Sequence, residues 1–277
     1  MATIMLNNDD ALEDSRNNIH PIVGDRIITG DGTSQDAWQN WAGLHNMPRL
    51  DVATNFSSQQ RVCIFAPHPD DEILGCGGLL QQFAANGNHI ILVHVTHGTQ
   101  SHPNSQIYSP AKLNTIRPQE SLEALKVLGI DHQVTIISLD LTDGEVFVQQ
   151  AQFYKKLAAI IQPDDVLVTP FVHDGHPDHE ATGQVVATFA KQQQLACYQV
   201  FIWAWHWAEP ADNRIPWSRA IKVDLSAEQL QRKTEAIACF KSQIESDTST
   251  GNPPILSAQT IARISQPWEV YLYEPNV

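Results

Sequence analysis

The sequence predicts an α/β fold: a mainly parallel sheet with helices on both faces. Three observations carry that prediction. From Arg61 onward, short apolar runs alternate with longer segments of helical character. The runs are apolar almost throughout rather than at every second residue, as strands covered on both faces require. The 277 residues are 42% hydrophobic and 17% charged, which is ample apolar material for such a core.

The elements follow in order. Residues 1–58 are polar and read as an N-terminal extension packed on a main domain of residues 59–277. Trp38, Trp41 and Leu44 fall at helical spacing there and would anchor it. Arg61–Ala66 (RVCIFA) is a buried strand that runs into a proline-containing loop. Residues 72–86 form a helix with Ile73, Leu79, Leu80 and Phe83 on its apolar side and Asn86-Gly87 as its stop. His89–Thr96 (HIILVHVT) is the second strand. After a polar loop, a helix spans 114–128 and ends at Gly129. Strands at Val134–Leu139, Asp165–Thr169 and Tyr198–Trp205 then alternate with helices at 147–161 and 179–194. The tail adds a strand at 220–224, a helix at 226–244, a loop at 246–254 and a last strand at 268–273.

Charge and cysteine usage exclude several function classes. Lys+Arg is 17 against Asp+Glu 31, a net charge of −14, so no broad basic face is available for nucleic acid. A single pocket arginine can still hold a small anion. No stretch reaches the roughly 20 apolar residues of a membrane helix. The N-terminus has neither the basic region nor the apolar run of a secretory signal, so a cytoplasmic protein is expected. Cys63, Cys76, Cys197 and Cys239 are widely spread with no Cys-x-x-Cys pair, which suits reduced thiols in such a compartment.

In sheets of this kind ligands bind beyond the carboxyl ends of the strands. Two histidine- and carboxylate-rich segments lie there. His68-Pro-Asp70-Asp71-Glu72 follows the first strand, and His173–Glu180 (HDGHPDHE) follows the strand ending near Pro170. His68 and Asp71, spaced i,i+3, can face one metal ion, with His179 as the third ligand. Two histidines and a carboxylate make a common zinc site with an open position. Asp70 would stand beside the metal as the general base. His176 would act across the pocket as electrophile or acid, with Asp178 orienting its ring. Helix capping by the carboxylates would explain either segment alone, but not both at strand ends. Gly75-Cys76-Gly77-Gly78 is not a dinucleotide fingerprint and reads as close helix packing.

These residues resemble the PIG-L/LmbE-like family of metal-dependent N-deacetylases. The family motif Ala-His-Pro-Asp-Asp-Glu is matched from His68 to Glu72, with Pro67 inserted after Ala66. The motif His-x-Asp-His is matched by His176-Pro177-Asp178-His179. The resemblance covers about residues 60–245 and implies a Rossmann-like fold. It also implies zinc bound by His68, Asp71 and His179, Asp70 as base, and His176 paired to Asp178 at the oxyanion or leaving amine. Arg117, in Arg117-Pro-Gln-Glu120, looks like the family arginine that contacts substrate. Asp143-Gly144 looks like its substrate loop, and Lys233…Ala236…Ser242-Gln243 resembles a helix near its C-terminus. Thr96-His97-Gly98 departs from the family's Thr-Asp-Gly.

Other residues have two readings each. His102 could rim the pocket. Trp203, Trp205 and Trp207 alternate down the predicted strand and could form either core or a wall for a sugar face. The function implied is removal of an N-acetyl group from an N-acetylglucosamine-like or related small amide, with Fe(II) or another divalent ion as an alternative to zinc. A phosphoesterase with one or two metals and a non-catalytic sugar-binding module are the rival readings. The partner expected is a small N-acetylated molecule, with a homo-oligomer open to the N-terminal extension.

Overall fold

The computed structural model describes residues 24–274; the part of the predicted extension before Gly24 lies outside them. Seven strands form one sheet: β1 (Arg61–Ala66), β2 (His89–His94), β3 (Val134–Ser138), β4 (Val166–Pro170), β5 (Ala196–Val200), β6 (Ala220–Asp224) and β7 (Trp268–Glu274). Their order is β3-β2-β1-β4-β5-β7-β6. The first five pair in parallel, and β7 runs antiparallel to both β5 and β6. This is the predicted mainly parallel sheet.

Both faces of the sheet are covered, and successive strand residues divide between them. Val62, Ile64, Ile90 and Leu92 pack beneath the helices Asp71–Asn86, Pro110–Leu128 and Ala227–Ile237. Cys63, Phe65, Ile91 and Val93 pack beneath Gln150–Ile160 and Pro177–Gln193. A third cluster joins Trp38, Leu44 and Met47 to Phe171, Phe201 and Trp205. There the Trp38 indole N–H donates to the Trp205 carbonyl at 2.9 Å, and Leu50 N–H donates to the Lys222 carbonyl.

Local geometry departs from the sequence reading in three places. β5 ends at Val200, and Ala204–Trp207 is a helical turn instead of strand. The buried Asp174 carboxylate accepts the backbone N–H groups of Ile202, Trp203 and Ala204 at 2.9–3.0 Å, which lifts this segment out of the sheet. Trp203, Trp205 and Trp207 therefore do not share a strand face. Trp205 and Trp207 join the core, while Trp203 is only partly buried. The tail helix, predicted as one piece over 226–244, breaks after Ile237 and resumes at Lys241–Ile244. Phe240 turns fully into the core there, and Glu120 accepts from the backbone and hydroxyl of Ser242. The helix predicted over 114–128 starts at Pro110, capped by Ser109.

Gly78 shows why the glycine-rich helix needs its glycines. A β-carbon there would sit 2.5 Å from the Leu225 side chain. Its N–H, and that of Leu79, donate to Glu269, which also pairs with the buried Lys233 at 2.7 Å.

Candidate active site

β1 and β4 are neighbours, and the loops that leave their carboxyl ends diverge to opposite sides of the sheet. That is the switch point at which open parallel sheets bind ligands. One loop carries His68, Asp70 and Asp71; the other carries Asp174, His176, Asp178 and His179. His68, Asp70, Asp71, His176 and His179 line one cavity of about 480 Å³, together with Arg117 and Asp143.

Asp71 opens the helix that follows β1 and is buried. Its Oδ2 accepts the His68 backbone N–H at 2.9 Å and lies 3.3 Å from His68 Nδ1 and 3.2 Å from His179 Nε2. His179 lies in the first turn of the helix Pro177–Gln193, with Pro177 at its first position and His176 as its N-cap. His179 Nδ1 is held by Asp174 at 2.8 Å. That leaves Nε2 buried, aimed into the cluster and without a hydrogen-bond partner. A buried imidazole with one nitrogen tied to a carboxylate and the other free is how metal-ligating histidines are built. Burial disfavours a charge on His179, yet Asp71 and Asp174 raise its pKa to about 9. Burial likewise opposes a charge on His68, and Asp143, Asp178 and Asp71 together raise its pKa well above the ordinary value. The pocket is therefore built to hold positive charge. His68, Asp71 and His179, the predicted ligands, are brought together in it, and His176 presents a nitrogen within 4.8 Å of those of His68 and His179. The donor set fits a zinc-like divalent ion.

Asp70 sits beside this cluster. Burial pushes its pKa up to about 7 against the pull of Arg117, whose guanidinium lies 2.9 Å from its Oδ2. Arg117 also donates to the carbonyls of Gly98 and Pro69. The backbone of Asp70 is strained, at φ 151° and ψ −31°. It is held there by Glu72, which accepts the Asp70 N–H at 3.0 Å and the Ser121 hydroxyl.

His176 faces the cavity with its pKa well below the ordinary value. Burial and the neighbouring His179 and His68 cause this, against Asp71 and Asp143. Its Nδ1 accepts the Asp178 backbone N–H at 3.2 Å, so a neutral ring carries its proton on Nε2. This corrects one expectation: the Asp178 carboxylate does not orient the His176 ring. It accepts the N–H groups of Gly144 and Val146 and lies 3.4 Å from His68 Nε2, so it fixes the loop that presents Asp143. Asp143 in turn bonds His68 Nε2 at 3.0 Å and accepts the Gln100 N–H.

His102 does not rim the cavity. It is buried beside the Tyr108 ring, with Nδ1 2.9 Å from the Ser101 hydroxyl, and Gln100 and Ser101 line the cavity in its place. His97 bonds Asn114 and Ser138, away from the site. Sequence reading assigned no role to Asp174, although it lies within the second motif. It also missed Ile28, Thr29, Gln243, Ile255 and Leu256, which line the cavity from segments distant in the chain. Nothing in those residue types marks them as site residues.

A family model described as PIG-L, GlcNAc-PI de-N-acetylase, matches residues 63–190. The uncharacterized deacetylase YaiS of Escherichia coli is 35% identical over 144 residues, which cover 49% of this chain and 71% of that one. The chain belongs to the PIG-L/LmbE-like family. The diacetylchitobiose deacetylase of Thermococcus kodakarensis is 27% identical over 145 residues, 50% of this chain and 52% of the relative, so the match spans about half of that enzyme. Two solved structures share the fold: a deacetylase of teicoplanin biosynthesis (TM-score 0.58, 15% identity, 77% of this chain and 97% of the other) and an A40926 pseudoaglycone deacetylase (0.53, 19%, 79% and 99%). The PIG-L segment contains His68, Asp70, Asp71, Arg117, Asp143 and the second motif. Ile28, Thr29, Trp203, Gln243 and Ile255 fall outside it.

Proposed function

We propose that this chain is a metal-dependent amidohydrolase that removes the acetyl group from an N-acetylglucosamine-like or related small amide. The observation that carries this is the convergence of His68, Asp71 and His179 on one buried point, with Asp70 and His176 on the same cavity. In this reading residues 59–277 are the deacetylase domain, and residues 24–58 are the described part of an extension on it. The widely spread Cys63, Cys76, Cys197 and Cys239, with no Cys-x-x-Cys pair, suit the reducing interior of a cell, and no helix among the described residues is long and apolar enough to cross a membrane.

His68, Asp71 and His179 would hold the ion, zinc by preference, with Fe(II) as the alternative. Such an ion polarises the amide carbonyl and acidifies water. Asp70 accepts a proton from the attacking water while Arg117 keeps its carboxylate aimed. Neutral His176 donates its Nε2–H to the oxygen on which negative charge develops. The C–N bond then breaks, and Asp70 returns the proton to the departing nitrogen, giving acetate and a primary amine. Arg117 and Asp143, each held by its own partners, shape the wall of the same cavity around the rest of the substrate.

The two-metal phosphoesterase reading has less support. A second donor group, His68, Asp143 and Asp178, shares His68 with the first, and its Asp178 carboxylate is already satisfied by two backbone N–H groups. The test is acetate release from N-acetylglucosamine and N,N'-diacetylchitobiose by zinc-loaded protein, beside Asp70→Asn. We expect Asp70→Asn to lose about a hundredfold or more in kcat while retaining the metal. Full activity in that variant would remove Asp70 from its role. Phosphate release from phosphate esters without acetate release would favour the rival enzyme, and sugar binding without turnover would favour the binding module.

A further inference from the structure

We infer, resting on the deacetylase reading, that the preferred substrate is an uncharged N-acetylhexosaminide whose aglycone is apolar, an aryl or alkyl group seated against Ile28, Trp203 and Ile255. Charge is the first argument. Among the described residues Arg117 is the one lysine or arginine lining the cavity; its two terminal nitrogens are committed to Asp70 and to two carbonyls, and its Nε is buried. Arginines nearby in the fold are paired as well: Arg26 to Glu180, and Arg263 to His206 and the Asp31 carbonyl. Asp70, Asp71 and Asp143 face the same space. Away from the ligand cluster, a phosphate on the aglycone would meet no free lysine or arginine among the described residues, a mismatch that selects against it.

Shape and polarity supply the second argument. Ile28, Trp203 and Ile255 come from three separate segments, all outside the PIG-L match, yet all line this cavity. Ile255 is 40% exposed, one of the few large apolar side chains left open to solvent among the described residues. An exposed isoleucine and a partly buried indole lining one cavity are apolar surface awaiting a partner. Uncharged Gln100, Ser101 and Gln243 line the remainder and suit sugar hydroxyls. The wall is also preformed. Arg26 grips Glu180 with two bonds of 2.9 and 3.0 Å, and His206 Nε2 donates to the Thr29 carbonyl at 3.3 Å, so Ile28 is pinned on both sides. A preformed wall keeps the ordering cost of binding low.

The test compares acetate release by zinc-loaded protein from p-nitrophenyl N-acetyl-β-glucosaminide, free N-acetylglucosamine and N-acetylglucosamine 1-phosphate. We expect kcat/KM about tenfold higher for the aryl glycoside than for the free sugar, and about tenfold lower for the 1-phosphate. Ile255→Lys should narrow or invert the ratio of aryl glycoside to 1-phosphate, a change that mere loosening of the fold would not produce. Equal kcat/KM on all three, or a preference for the phosphate, overturns the inference and leaves the deacetylase standing. No acetate from any N-acetylated substrate overturns the deacetylase reading itself, and this inference with it.

Discussion

Asp70 occupies backbone geometry that an L-residue avoids, at a cost of about 1–3 kcal/mol, and something must hold it there. Glu72 does so through the Asp70 N–H, and it is itself fixed by Ser121, whose hydroxyl lies 3.2 Å from His94 Nε2. Glu72→Leu should therefore lower kcat about tenfold with KM and bound metal little changed, since it acts through the aim of Asp70. Glu72→Gln should recover most of the rate: its carbonyl still accepts the Asp70 N–H, and Ser121 can turn its proton toward His94. If Leu and Gln behave alike in steady-state kinetics, Glu72 has no positioning role. Asp174 has a different task. It orients His179 and also collects three backbone N–H groups. Asp174→Asn should weaken zinc binding about 10–100-fold in a chelator competition, and His179→Ala should abolish it.

At the scale of elements, the segment around Thr29 is tied to the turn Ala204–Trp207 through His206. The His206 Nδ1 accepts from Arg263 at 2.8 Å, so the fold requires the neutral ring. Burial, aided by Arg263 and opposed by the Thr29 carbonyl and Asp31, lowers its pKa from the ordinary 6.5. The unfolded chain thus binds the proton more readily, and stability falls with falling pH. The contribution is full above about pH 6.5 and is lost as pH drops through the folded-state value. In denaturant titrations from pH 8 to 5, the midpoint of His206→Gln should fall less steeply than that of the parent; parallel slopes would show that His206 is not the sensor. This tie is also where sequence reading failed. Strand β5 looked longer than it is because the apolar pattern runs on past Val200. The groups that bend the chain come from Asp174, 28 to 30 residues earlier, and no local pattern reports a carboxylate arriving from another loop. Helix stops were legible where a glycine in the left-handed region caps the last turn, as at Gly87 and Gly129.

Across the whole molecule, what was legible is what the parallel sheet itself assembles. Apolar runs located the strands, strand ends located the loops, and the loops carried His68, Asp71 and His179 to one point. Asp143 was placed at the site only through family resemblance, as a substrate residue, and its bond to His68, 75 residues away, was not read. The walls were readable only in part. Trp203 was open to a wall reading and does line the cavity, whereas Ile28 and Ile255 are ordinary apolar residues, and only folding shows that they face it.

β7 also sets the order in which the protein can be finished. It is the last strand in the chain, yet it lies between β5 and β6. While the ribosome is still at work, β1 to β5 can pair as they emerge. β6, the strand after them, has only the short bridge to Pro48–Leu50 until Trp268–Glu274 follows. Until then the edge of β5 is open, and Lys233 waits without Glu269, the carboxylate that β7 brings to it. An open, apolar edge beside an uncompensated charge is a template for sticking to other nascent chains. A stop codon placed just before Trp268 would leave every catalytic residue translated and the product in inclusion bodies.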